Sequence, residues 1–150
     1  MIRKAKISDI PNIHSILTHF GDKGLLLPRS LSDLYDHLRD YSVFVNEEGN
    51  IVATCALHIS WENLAEIRSL AVMEQFQGRG IGSALVEFAI SEALTLEIYR
   101  VFTLTYQPIF FKKMGFKEVD KKILPHKVWS DCLKCPKFPD CDEVALMIEL

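Results

Sequence analysis

The stretch Gln77-Gly78-Arg79-Gly80-Ile81-Gly82 constrains this chain more than any other. Three glycines alternate with other residues, and a helical pattern begins at once. Ile81, Leu85 and Phe88 fall on one face, with Ser83 and Glu87 turned away. Upstream, residues 65–72 (Ala-Glu-Ile-Arg-Ser-Leu-Ala-Val) read as a strand, so the glycines occupy a strand-to-helix turn. Without Cβ atoms, their backbone N–H groups can crowd around one point. The helix N-terminus behind them adds partial positive charge. Together these make a cradle for phosphate. A Walker loop needs Lys and then Ser or Thr after its last glycine, and Ile81-Gly82-Ser83 offers no such Lys. A dinucleotide fingerprint needs G-x-G-x-x-G near the first strand of its unit, whereas here G-x-G-x-G lies mid-chain.

The pattern resembles the acetyl-CoA loop of the GNAT N-acetyltransferases, (Gln/Arg)-x-x-Gly-x-(Gly/Ala), with Gln77, Gly80 and Gly82 filling it. The strand that precedes the loop strengthens the resemblance, as does the later Phe111-Lys112-Lys113-Met114-Gly115-Phe116, which is similar to the family's "Gly-Phe" element. The resemblance implies an α+β GNAT fold. Its sheet is mixed but mostly antiparallel, of about six to seven strands, flanked by about four helices. It also implies acetyl-CoA as co-substrate, with no organic prosthetic group.

At 150 residues the chain is expected to be one domain, 1–150, long enough to bury a proper core. Apolar content of 49% and charged content of 25% are ordinary for a globular protein. A net charge of -3 suggests no nucleic-acid surface, and the pairs Lys112-Lys113 and Lys121-Lys122 read as solvated faces. Arg3, Lys4 and Lys6 have no apolar region behind them that would make a signal peptide. No apolar run approaches a membrane span. The expected location is cytoplasmic, with small-molecule partners, no membrane, and a homodimer left open.

Residues 2–7 read as a first strand. Ser8-Asp9 would cap a helix carrying Ile10, Ile13, Leu17 and Phe20, with Pro11 in its first turn and Gly21 as its stop. His14 and His19 on it read as solvent or rim histidines. Residues 24–30 read as a loop packed on the core, or a lid. Ser30 and Asp33 suggest a capping-box-like start to a helix with Leu31, Leu34, Tyr35 and Leu38 along one face. Arg29, just before that cap, could offer a bidentate fork to a carboxylate or stand as an exposed loop cation. Residues 41–46 and 50–61 read as a hairpin around Glu47-Glu48-Gly49-Asn50. The apolar run 51–57 implies a strand buried on both faces, with Cys55 a core residue rather than a nucleophile. No Cys-His or Ser-His-Asp arrangement supports covalent catalysis.

On the strand 66–72, residues two apart share a face, so Glu66 and Arg68 stand about 7 Å apart on one side. Cross-strand salt bridging would explain such a pair. The family resemblance implies another role for Glu66, that of general base. Residues 100–106 read as another strand, and Pro108 opens a short helix. In the family the two strands splay to admit the pantetheine arm. The family's general-acid Tyr stands four residues before the Gly of Gly-Phe. That position is Phe111, which has no proton to give, so Tyr106 is carried as the candidate donor, with bulk water as the alternative. Residues 143–149 read as a last strand. Before it, Cys132, Cys135 and Cys141 lie within ten residues. With His126 they could bind a metal, form free thiols in a packed loop, or form a disulfide, which a cytosolic setting disfavours.

A narrower resemblance rests on residues 26–30 (Leu-Leu-Pro-Arg-Ser), 66–72, 104–107 (Leu-Thr-Tyr-Gln) and 124–129 (Leu-Pro-His-Lys-Val-Trp) with the cysteine segment. Together these are similar to the short, stand-alone acetylglutamate synthases of arginine biosynthesis. That resemblance implies transfer of acetyl to the α-amine of glutamate, with glutamine as a related acceptor. The longer members' arginine-sensing domain has no room here. Arg29, Ser30, Arg68 and Lys127 are then the candidate substrate contacts. Leu70, Ala71 and Val72 would offer backbone N–H groups to the thioester carbonyl. Gln77, Gly78, Arg79, Gly80, Ile81 and Gly82 would hold the co-substrate. Glu66, through a water, would take the amine's proton. The competing classes are another GNAT activity, on a polyamine, drug or protein N-terminus, and a non-catalytic acyl-CoA sensor.

Overall fold

The computed structural model describes residues 1–125 and 143–150. Lys127, His126, Cys132, Cys135 and Cys141 lie outside the described residues. In chain order the elements are β1 (Ile2–Lys4), α1 (Ile10–Asp22), α2 (Leu31–Asp36), β2 (Tyr41–Val45), β3 (Ile51–Trp61) and β4 (Leu64–Val72). There follow α3 (Ile81–Thr95), β5 (Arg100–Thr105), α4 (Pro108–Lys113), β6 (Lys117–Glu118) and β7 (Val144–Glu149). The strands form one sheet in the order β1-β2-β3-β4-β5-β7-β6. β4 and β5 pair in parallel; β1 with β2, β2 with β3, β5 with β7 and β6 with β7 pair antiparallel. This is the mixed, mostly antiparallel α+β architecture expected. No helix among the described residues is long and apolar enough to cross a membrane.

By contact the chain divides into two compact units, Met1–Leu57 with Ile67–Glu92, and His58–Glu66 with Ala93–Leu150. In the first, Ile10, Ile13, Leu17 and Phe20 of α1 meet Leu34 of α2, Tyr41 and Val43 of β2, Ala56 of β3 and Ala71 of β4. Fully burying each large side chain is worth roughly 1.5–3 kcal/mol. Residues 52–57 are all buried, as a strand covered on both faces requires. Burial pushes the Cys55 thiol up to about 12, so it is an inert core residue. In the second unit Leu64, Phe102, Leu124, Ala145 and Met147 form the core.

Several boundaries differ from the sequence expectation for identifiable reasons. β1 is only three residues long, because a 3-10 turn at Ile7–Asp9 follows it at once. Asp9 does not cap α1: its carboxylate takes both Arg3 guanidinium nitrogens (2.6 and 3.0 Å) and the Lys6 N–H (2.7 Å). Gly21 does not stop α1 either. Gly24 does, in the left-handed region at φ 73, with the Leu25 N–H bonded to the Phe20 carbonyl and the Gly24 N–H to that of Gly21. The same closure ends α4: Gly115 sits at φ 99 and the Phe116 N–H bonds back to Phe111. The two rings meet edge to face at 5.2 Å. The "Gly-Phe" signature is thus a helix terminator with its hydrophobic contact. On α2 only Leu34 is buried; Leu31 and Tyr35 are exposed, so the expected apolar face is a single residue wide.

Candidate active site

The glycine loop has the local geometry its sequence demands. Gly78 and Gly80 lie in the left-handed region (φ 77 and 81), where a side chain is strained. No atom stands within 4 Å of where a Cβ would be at either residue, so this side of the turn is open to a ligand. α3 begins directly at Ile81. Gln77 is a brace, its side-chain amide donating to the Val72 carbonyl at 2.9 Å across the turn. Arg79 lies over the Phe76 ring at 5.3 Å. An open glycine backbone at the start of a helix suits a pyrophosphate.

The same unit carries charged side chains that are partly withdrawn from solvent. The Arg29 side chain is only 8% exposed, so it is not the solvated loop cation it could have been. It lies 3.6 Å from Asp33, whose carboxylate also faces His37 Nδ1 at 3.2 Å. Ser30 accepts the Asp33 N–H at 3.1 Å and so caps α2. Tyr41 is wholly buried, and its hydroxyl lies 3.2 Å from Ser69 Oγ. Burial raises the Tyr41 hydroxyl above its ordinary value, opposed by the Ser69 hydrogen bond and by the charges of Arg29 and Arg68; Asp33 pushes the other way. Ser69 has φ 55 in the middle of β4. A left-handed non-glycine residue costs about 1–3 kcal/mol. It also breaks the strand's period of two, so alternation counted from Glu66 does not carry past residue 68.

In the other unit, Glu66 is 9% exposed and stands opposite Phe102 on the last of the two parallel rungs between β4 and β5. β5 ends at Thr105, and Tyr106 follows it, half-buried. Phe111 is buried between Phe110 and Phe116, a packing role with no proton to offer. No group of acidic, His or Cys residues among the described residues could hold a metal. A cavity of about 520 Å³ in the first unit, lined by Asn12, His19, Asn46, Asn50 and Met73 among others, contains none of these candidates.

Tyr41 and Ser69 escaped the sequence reading because each looks like ordinary strand material. In the sequence Asp33 reads only as part of a helix cap. The one available signal was Ser69 itself, a small polar residue inside an otherwise apolar strand beside an arginine.

Comparison with known proteins agrees with this geometry. Residues 13–116 match the model of the Acetyltransferase (GNAT) family. An uncharacterized N-acetyltransferase of Chlorobaculum tepidum is 40% identical over 97% of this chain and 94% of its own length. An amino-acid acetyltransferase of Mycobacterium tuberculosis is 35% identical over 80% of this chain and 70% of its own. The fold superposes with a TM-score of 0.90 on N-acetylglutamate synthase from Neisseria gonorrhoeae, a structure complexed with coenzyme A and N-acetyl-glutamate. That match is 28% identical and covers 100% of this chain but 35% of the other. The matched family region takes in the open glycine turn and ends on Phe116, so the chain belongs to the GNAT acetyltransferase family and uses acetyl-CoA as its co-substrate.

Proposed function

We propose that this protein transfers acetyl from acetyl-CoA to the α-amine of L-glutamate by direct attack. The observation that carries this reading is the Arg29 side chain, only 8% exposed and 3.6 Å from Asp33, in the same unit as the half-buried Arg68. Two guanidinium forks, one of them on a nearly buried side chain, suit an acceptor with carboxylates, and their positive charge disfavours a cationic polyamine. The amino-acid acetyltransferase of M. tuberculosis and the gonococcal synthase support the same acceptor class. Arg29 and Arg68, with Lys127, hold the acceptor's carboxylates, and Ser30 keeps α2 and its Asp33 in place.

Glu66, through a water, takes a proton from the substrate ammonium. The freed amine attacks the thioester carbonyl, the C–N bond forms, and the C–S bond breaks. The leaving thiolate takes its proton from Tyr106. N–H groups of Leu70, Ala71 and Val72 stabilise the developing oxyanion, while residues 77–82 hold the pyrophosphate. The reading places the protein in arginine biosynthesis and in the cytoplasm.

The test is a thiol-release assay comparing kcat/KM for glutamate, glutamine, spermidine and a peptide N-terminus. Glutamate should lead, with glutamine second. A tenfold win by spermidine or the peptide would sink the amino-acid reading. In the same assay Glu66→Gln should lower kcat about 10² to 10⁴-fold near neutral pH, and the loss should shrink at high pH, where free amine is already present. Activity equal to the parent at pH 7 would reduce Glu66 to a structural charge.

A further inference from the structure

We infer that Tyr41 is a positioning residue for the acceptor: its hydroxyl clamps the left-handed Ser69 and so sets the direction in which Arg68 leaves β4. Tyr41 is the largest fully buried side chain among the described residues, and a Phe would fill the same space. A buried hydroxyl is unfavourable unless it is bonded, and the Tyr41 hydroxyl lies 3.2 Å from Ser69 Oγ. Ser69 in turn needs holding. Two described non-glycine residues have positive φ, Ser69 and Glu97. Glu97 is explained by its place: it closes α3, with the Ile98 N–H bonded back to the Ala93 carbonyl. Ser69 lies inside a strand, only 8% exposed, where no helix end demands that conformation.

A left-handed residue turns the chain, so it fixes where its neighbour Arg68 points. Arg68 is half-buried and belongs to the same compact unit as Arg29 and Asp33. The hydroxyl therefore sits at the backbone kink, bonded to the residue that follows Arg68 in the chain. It contacts the Ser69 side chain, and its effect on substrate runs through Arg68.

The inference rests on the proposed acceptor site, and the experiment separates the two. Full-length Tyr41→Phe, Ser69→Ala and the double variant are compared in steady-state kinetics. Amide hydrogen exchange at residues 68–70 is measured without substrate. Each single variant should raise the acceptor KM about fivefold, the scale of one buried hydrogen bond. The double variant should match the singles, because both remove the same bond. The acetyl-CoA KM should stay within about twofold in all three, and exchange at 68–70 should quicken. Multiplying effects in the double variant, an equal rise in acetyl-CoA KM, or unchanged exchange would each overturn the clamp. Quicker exchange with unchanged KM for glutamate, glutamine and spermidine alike would keep the clamp and remove the acceptor from Arg68.

Discussion

Gly78 and Gly80 stand in open space two residues apart on one turn, while the nearly buried Arg29 side chain, the buried Tyr41 and the half-buried Asp33 and Arg68 come from the start of α2 and from two strands. Both sets belong to the same compact unit. The first works through its backbone: what matters is φ and the absence of a Cβ. The second works through side chains whose value depends on their neighbours. A backbone site should therefore resist most side-chain changes around it and fail when a glycine gains charge or bulk. A side-chain cluster should fail at almost any member, by amounts that depend on how many partners are left unsatisfied.

The largest expected effect tests the cluster. Arg29→Lys keeps the charge but loses the planar fork, and acceptor KM should rise about a hundredfold with acetyl-CoA KM nearly unchanged. A Lys variant with ordinary acceptor KM would mean that Arg29 serves only Asp33. The next tests the loop. Gly80→Asp should weaken acetyl-CoA binding at least about tenfold by calorimetry, through strain at φ 81 and repulsion of pyrophosphate. Gly80→Asn, which tolerates the left-handed region better, isolates the charge. If Asp and Asn weaken binding equally, backbone strain or bulk is responsible.

A smaller effect probes the cluster's anion. Asp33→Asn leaves Arg29 less well oriented and should raise acceptor KM about fivefold. A matching change in acetyl-CoA KM would show that the cluster and the loop are not separable.

The smallest effect is on the scaffold that both regions share. The Arg3 hydrogen bond holds the Asp9 carboxyl below its ordinary value. Because the folded form binds its proton less readily than the unfolded chain, the stabilisation is present above the usual Asp range and is lost as pH falls through it. Asp9→Asn should cost about 1 kcal/mol at pH 7, with the gap to the parent closing toward pH 3 in denaturant titrations. A gap independent of pH would assign the loss to packing. Neither KM should change.

Sequence determined what depends on neighbours in the chain. The order of strands and helices follows from hydrophobic period and glycine placement. The turn at 77–82 and the buried character of β3 are likewise local, because φ preference and apolar runs are properties of short segments. Even the errors at Gly21 and Asp9 are boundary errors within correctly recognised elements. Only the tertiary structure decided which charges are withdrawn from solvent. By sequence Arg29 is compatible with a solvated loop, whereas the fold leaves its side chain 8% exposed beside Asp33, and Ser69 reads as plain strand although its φ is 55. The physical reason is that a charge's worth is set by desolvation and by partners far away in sequence, and a strained backbone is paid for by contacts elsewhere in the fold.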